Sequence, residues 1–114
     1  MVRRPLRWRP LWALLLAVVL PFTWAAPARA DGSSLFGQHC SGCHLNGGNI
    51  IRRGKTLKLA ALQRQGIEGP EAIAVIAAGG LGQMGGYGAV LGEAGVQEVA
   101  AYVWQQALDG WPRA

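Results

Sequence analysis

The 114-residue sequence predicts an all-α domain, and three observations carry that prediction. Val96, Val99, Val103 and Ala107 recur at spacings of three and four, with Tyr102 on the same stripe, which is the period of an amphipathic helix. Pro70 and Glu71 open a second apolar run in the order that favours a helix start. No run alternates apolar and polar residues as a half-buried strand does.

The first thirty residues are read apart from the fold. Arg3, Arg4, Arg7 and Arg9 form a basic head, Leu11 to Trp24 is uncharged and apolar, and Ala28-Arg29-Ala30 supplies a small-x-small cleavage site. That order is a secretory signal peptide. A spanning helix needs about 20 apolar residues, and this run is shorter and broken by Pro21. The expected division is a signal peptide over 1–30 and one domain over 31–114. The formal charge of +5 then loses its meaning, because Arg3, Arg4, Arg7, Arg9 and Arg29 precede the cut. The remaining chain has six basic and six acidic side chains and is formally neutral. Its only basic footprint is the short run Arg52, Arg53, Lys55 and Lys58, read as a solvated face and not a nucleic-acid surface, and the overall neutrality predicts weak long-range steering of partners. The chain is expected to be monomeric, to bind no nucleic acid and, once cleaved, not to span a membrane. A domain this short buries little of its surface and needs a staple.

The elements follow in order. The first helix is expected from about Ser33 to Ser41, with Gly32 or Ser33 at its start and Leu35 and Phe36 facing inward. The segment "KTLKLAALQRQ" predicts a second helix from Thr56, carrying Leu57, Leu59 and Leu62 and stopped by Gly66. The third runs from Pro70 to Gly79. The last, "EAGVQEVAAYVWQQAL", ends at Gly110, and Pro112 blocks its restart. The first and last helices should cross, with Phe36 near Tyr102 and Gly32 or Gly37 permitting close approach.

The chemistry is concentrated in "FGQHCSGCHLNGG", which holds both cysteines and both histidines of the chain. A thioredoxin-like CxxC requires a β-α-β context that is missing here, and a zinc site needs about four ligands that can surround the ion. Cys40, Cys43 and His44 instead form C-x-x-C-H, the attachment motif of a c-type haem. Two thiols on one helical turn reach the two vinyl groups, and the adjacent imidazole reaches the iron. His39, beside Cys40, cannot approach from the far side and is read as a surface histidine. Iron held by His and Met is a low-spin electron-transfer arrangement. The sole methionine after residue 30 is Met84, in the glycine-rich loop "GGLGQMGGYG". That loop can lie against a flat cofactor, so Met84 is the candidate sixth ligand. A gap-filling role is the rival reading for a methionine.

The segments "GSSLFGQHCSGCH", "NIIRRGKTL", "GLGQMGGYG" and "EVAAYVWQQALDGW", in this order, resemble cytochrome c6, the small class I cytochrome of cyanobacterial and algal thylakoid lumens. The resemblance implies a class I cytochrome c fold of three to four helices around one covalent haem c. It implies Cys40 and Cys43 as thioether sites, His44 and Met84 as axial ligands, and Asn49 and Lys55 in the loop beside the haem. It implies one-electron transfer from a cytochrome b6f-type complex to photosystem I or a terminal oxidase, in the thylakoid lumen or periplasm. Three positions depart from the family pattern. Gly85 replaces a proline, Ile76 replaces a glutamine close to the haem, and Val90 replaces an arginine of the photosystem I docking surface. These changes resemble the divergent c6B and c6C branches, and they imply a lower potential and poor donation to photosystem I. Leu45, Ile50, Gln83, Tyr87 and Val90 are the candidate docking residues. An open-iron alternative, a ligand sensor or weak peroxidase, would follow from a labile Met84. A dithiol reductase using Cys40 and Cys43 is the third function class.

Overall fold

Four α-helices and one 3-10 turn make up the computed structural model, which describes residues 31–113. The expected signal peptide, 1–30, lies outside the described residues. Helix α1 spans Gly32–His39, α2 Leu59–Arg64, α3 Pro70–Gly79 and α4 Gly88–Asp109, with the 3-10 turn at Leu45–Gly47. No strand occurs among the described residues; Leu81 and Met84 form an isolated bridge. The all-α expectation is borne out.

Asp31 starts α1. Its carboxylate accepts the Ser34 backbone N–H at 2.8 Å, satisfying one of the free donors at a helix N-terminus. That hydrogen bond holds the Asp31 carboxyl below its ordinary range. The helix ends at His39, earlier than Ser41, because the Cys40 and Ser41 N–H groups both converge on the Phe36 carbonyl at 2.9 Å. Gly32 is the glycine of close approach: a Cβ there would lie 2.7 Å from Tyr102 Cβ and against the Glu98 carbonyl, whereas one at Gly37 would meet nothing within 4 Å. Phe36 meets Tyr102 as expected, at a ring separation of 5.4 Å.

The second helix is shorter than its sequence suggests. It begins at Leu59 and not at Thr56, because residue 57 is committed elsewhere. Leu57 N–H donates to the Gly47 carbonyl at 2.8 Å, and the Leu57 carbonyl accepts the Trp111 indole N–H at 2.9 Å. These long-range bonds outcompete a local helical turn. Helix α3 keeps its expected bounds, with Pro70 in its first turn.

Helix α4 begins earlier than Glu93. Tyr87 N–H donates to Ala77 at 2.8 Å and Leu91 N–H to Tyr87 at 2.9 Å, which closes a first turn before Gly92 breaks the helix at φ 68°. It ends on Gly110 in the left-handed conformation, φ 79°, as glycine at a helix C-terminus allows. Val96, Val99, Ala100, Val103 and Ala107 are all buried along it. They pack with Phe36, Leu62, Ile73 and Ala77 into one core, closed at its base by Trp111.

Candidate functional site

The sequence after α1 turns back on itself to present its soft ligands. The Cys43 and His44 N–H groups donate to the Cys40 carbonyl at 3.2 and 2.9 Å, so the three motif residues share one turn. Ile50 N–H then donates to Cys43 at 3.0 Å, folding the following loop beneath them. The His44 ring is oriented by the Gly48 carbonyl, 2.7 Å from Nδ1. A carbonyl only accepts, so Nδ1 is the donor of this bond and Nε2 is the ring nitrogen left to face a metal, the orientation that metal-ligating histidines take. Neither cysteine is joined in a disulfide. Cys40 is half-buried, and that burial pushes its thiol up; Cys43 is exposed.

Opposite, the methionine loop leaves α3 through Gly80. Leu81 and Met84 exchange both backbone hydrogen bonds at 3.0 Å, forming a tight turn that carries the thioether. Gly86 and Gly88 lie against α3: a Cβ on Gly86 would come within 2.6 Å of the Ala78 carbonyl. Gly85 itself is unconstrained, with open space around a Cβ.

Between these two segments lies an open cleft of about 330 Å³. Cys40, Cys43, His44 and Met84 all line it, together with Asn49, Lys55 and Ile76. Every expected site residue is therefore brought to one hollow. Its walls are the core's own side chains, Phe36, Leu62, Ile67, Ile73, Val99 and Val103. The set fits a c-type haem: two unpaired thiols on one turn, an imidazole with a free Nε2, a facing thioether and an apolar interior. Among the described residues no group of three or more His, Cys, Asp or Glu side chains is placed to hold a metal ion.

Asn49 acts as a knot. Its Oδ1 accepts the N–H groups of Ile51 and Arg52 at 3.0 and 2.8 Å, and its Nδ2 donates to the Lys55 carbonyl at 3.0 Å. One side chain thereby shapes the loop that brings Arg52 and Lys55 to the cleft.

His39 is half-buried at the cleft edge, 6.2 Å from the Tyr87 ring, and is not the free surface group expected from its position. Of the expected docking residues, Leu45, Ile50 and Val90 are 65%, 68% and 65% exposed; Gln83 and Tyr87 line the cleft, and Val90 lies outside it. Sequence reasoning missed Ile51 and Leu81, which are both exposed and cleft-lining, and Arg52. The signal available for Ile51 was an aliphatic residue placed directly before a basic run.

Comparison with known proteins agrees with this geometry. A family model described as cytochrome c oxidase, cbb3-type, subunit III matches residues 27–103. A cytochrome c6-like protein of Nostoc sp. strain PCC 7120 is 43% identical over 102 residues, covering 86% of this chain and 92% of the relative. The crystal structure of cytochrome c6B from Synechococcus sp. WH8102 superposes with a TM-score of 0.71 at 59% identity, covering 76% of this chain and 99% of that one. Cytochrome c6C from Synechococcus sp. PCC 7002 gives 0.69 at 46%, covering 72% and 100%.

Proposed function

The chain belongs to the cytochrome c6-like family of c-type cytochromes, and from that premise we propose that it is a one-electron carrier in which His44 and Met84 would ligate the haem iron, with a potential below that of a typical cytochrome c6. Electron transport and one covalently bound c-type haem come with the family. When bound, the haem supplies a one-electron iron couple. The chain's own residues tether, orient and shield it. Cys40 and Cys43 give the thioether links. The Gly48 carbonyl accepts from His44 Nδ1 and so orients the ring with Nε2 as the nitrogen that would meet the iron. The Met84 thioether raises the potential, and the polarity of the surrounding pocket tunes it. The observation that carries the reading is the convergence of Cys40, Cys43, His44 and Met84 on one cleft.

The weak charge-transfer band of methionine-ligated ferric haem tests the ligation. It is expected in the wild-type holoprotein and absent from Met84→Ala, which should bind cyanide rapidly; the same spectrum in both proteins would remove Met84 from the iron. Gly85 favours the second reading, a ligand sensor or weak peroxidase, since a glycine follows Met84 where the family has a proline that would restrict the backbone. That reading requires the band to be missing from the wild type as well.

Ile76 sets the lowered potential. It lines the cleft half-buried and offers it no polar atom. A polar group worth about 1 kcal/mol more to one oxidation state shifts a one-electron couple by about 40 mV. Ile76→Gln should raise the midpoint by tens of millivolts on that scale; agreement of the two titrations within error would dismiss Ile76 as the lever.

Residues 1–30 serve as the export signal and leave one domain, 31–114, in the thylakoid lumen or periplasm. Among the described residues no helix is long and apolar enough to cross a membrane. The donor is a complex of cytochrome b6f type. A terminal oxidase suits the acceptor role better than photosystem I, because Val90 stands where the family's docking arginine would be.

A further inference from the structure

The formal neutrality of the exported chain conceals a separation of charge. No acidic residue occurs between Asp31 and Glu68, yet that interval holds Arg52, Arg53, Lys55, Lys58 and Arg64. The fold keeps this asymmetry in space. The haem cleft is lined by Arg52 and Lys55 and by no carboxylate. A second hollow, between α3 and α4, is lined by Glu71 and Glu93 and by no cation, and shares no lining residue with the first. Asn49 pins the basic loop where it stands, with three hydrogen bonds to Ile51, Arg52 and Lys55. Next to these cations are the aliphatic side chains of Ile50 and Ile51, 68% and 58% exposed.

From this arrangement we propose that the lip formed by residues 50–58 is the docking surface for an acidic protein partner, with Ile50 and Ile51 as its apolar centre and Arg52, Arg53, Lys55 and Lys58 as its charged rim. The proposal rests on the carrier reading and adds to it the sign of the partner. The physical reason is range. Screening in salt limits each charge to about 10 Å, so an approaching partner senses the charges near the cleft and not the sum over the molecule. An acidic surface is attracted to the cleft side and repelled from the groove bearing Glu71 and Glu93, which orients the encounter before contact. Exposed aliphatic residues inside a polar rim match the anatomy of a transient interface.

The test uses the haem-loaded protein and two small redox reagents of opposite charge, hexacyanoferrate as the anion and hexaammineruthenium as the cation. Arg53→Gln with Lys58→Gln alters the lip without touching a cleft-lining residue. Gln97→Glu with Ala101→Glu makes the same change in net charge on exposed positions of α4. Electron transfer with hexacyanoferrate should slow about tenfold at low ionic strength in the lip variant, while hexaammineruthenium speeds up. Raising the salt should erase both differences, and the α4 variant should stay close to wild type. Equal effects from the two variants, or no effect from either, would overturn the lip. Failure of both reagents to exchange electrons with the wild type would overturn the carrier reading itself, and the lip with it.

Discussion

Replacing Cys40 and Cys43 together by alanine should yield a chain without a cooperative thermal transition. Phe36, Leu62, Ile67, Ile73, Val99 and Val103 belong both to the core and to the cleft wall. The core thus forms the floor of the cleft, and the haem would cover its more open apolar lining, Ile51, Leu57, Ile76 and Leu81. Without it, that lining stays in water at about 25 cal/mol per Å² of apolar surface, in a domain of about 80 residues whose core by itself supplies only a few kcal/mol. The surrounding architecture offers no reserve: α2 is six residues long, and the segments on either side of it are loops. Circular dichroism melting of the double variant should show a sloping loss of helix. A sharp transition near the wild-type midpoint would mean that the helices pack without the cofactor. The wild-type holoprotein, measured alongside, supplies the cooperative reference.

Gly47→Ala should be strongly destabilising, at about 3 kcal/mol. Gly47 is buried with φ +77°, a conformation in which a side chain is strained, and its Cβ would sit within the Trp111 ring, 2.6 Å from Cγ. Neither partner can move away cheaply. The Gly47 carbonyl is held by Leu57 N–H and the Trp111 indole by the Leu57 carbonyl, while Trp111 packs on Phe36 at 5.4 Å. Displacing the indole would break that buried hydrogen bond and loosen the base of the core. For a domain of this size the loss corresponds to a fall in Tm of roughly 12–24 °C. Gly54→Ala is the control, because nothing lies within 4 Å of its Cβ; it should stay within about 0.5 kcal/mol of wild type. Equal denaturation midpoints for the two variants would contradict the seating of Trp111 on Gly47.

Legibility followed distance along the chain. The helix over 70–79 and the Gly110 stop were readable because each depends on a few neighbouring residues. The start of α2 was not, because "KTLKL" has local helical character and yields only when Gly47 and Trp111 claim residue 57. The choice between Gly32 and Gly37 was equally invisible, since it depends on where Glu98 and Tyr102 arrive. The early turn at Gly88–Leu91 needed Ala77 to anchor Tyr87. At the site, "CSGCH" and a lone methionine in a glycine-rich loop pointed to the cofactor. The Asn49 knot and the cleft-facing positions of Ile51, Arg52 and Leu81 had no such signature.

By itself the sequence determined the helical class, the haem attachment motif on one turn and the candidate methionine opposite, because periodicity, capping and ligand spacing are short-range properties of a chain. The tertiary structure decided which core side chains wall the cleft, which glycine admits a helix, and that Arg52 and Lys55 line the cleft while Glu71 and Glu93 line a separate groove. Those outcomes depend on contacts such as Trp111 with Leu57, 54 residues apart. No local pattern encodes them, because they form only when separate segments compete for the same backbone groups and the same buried volume.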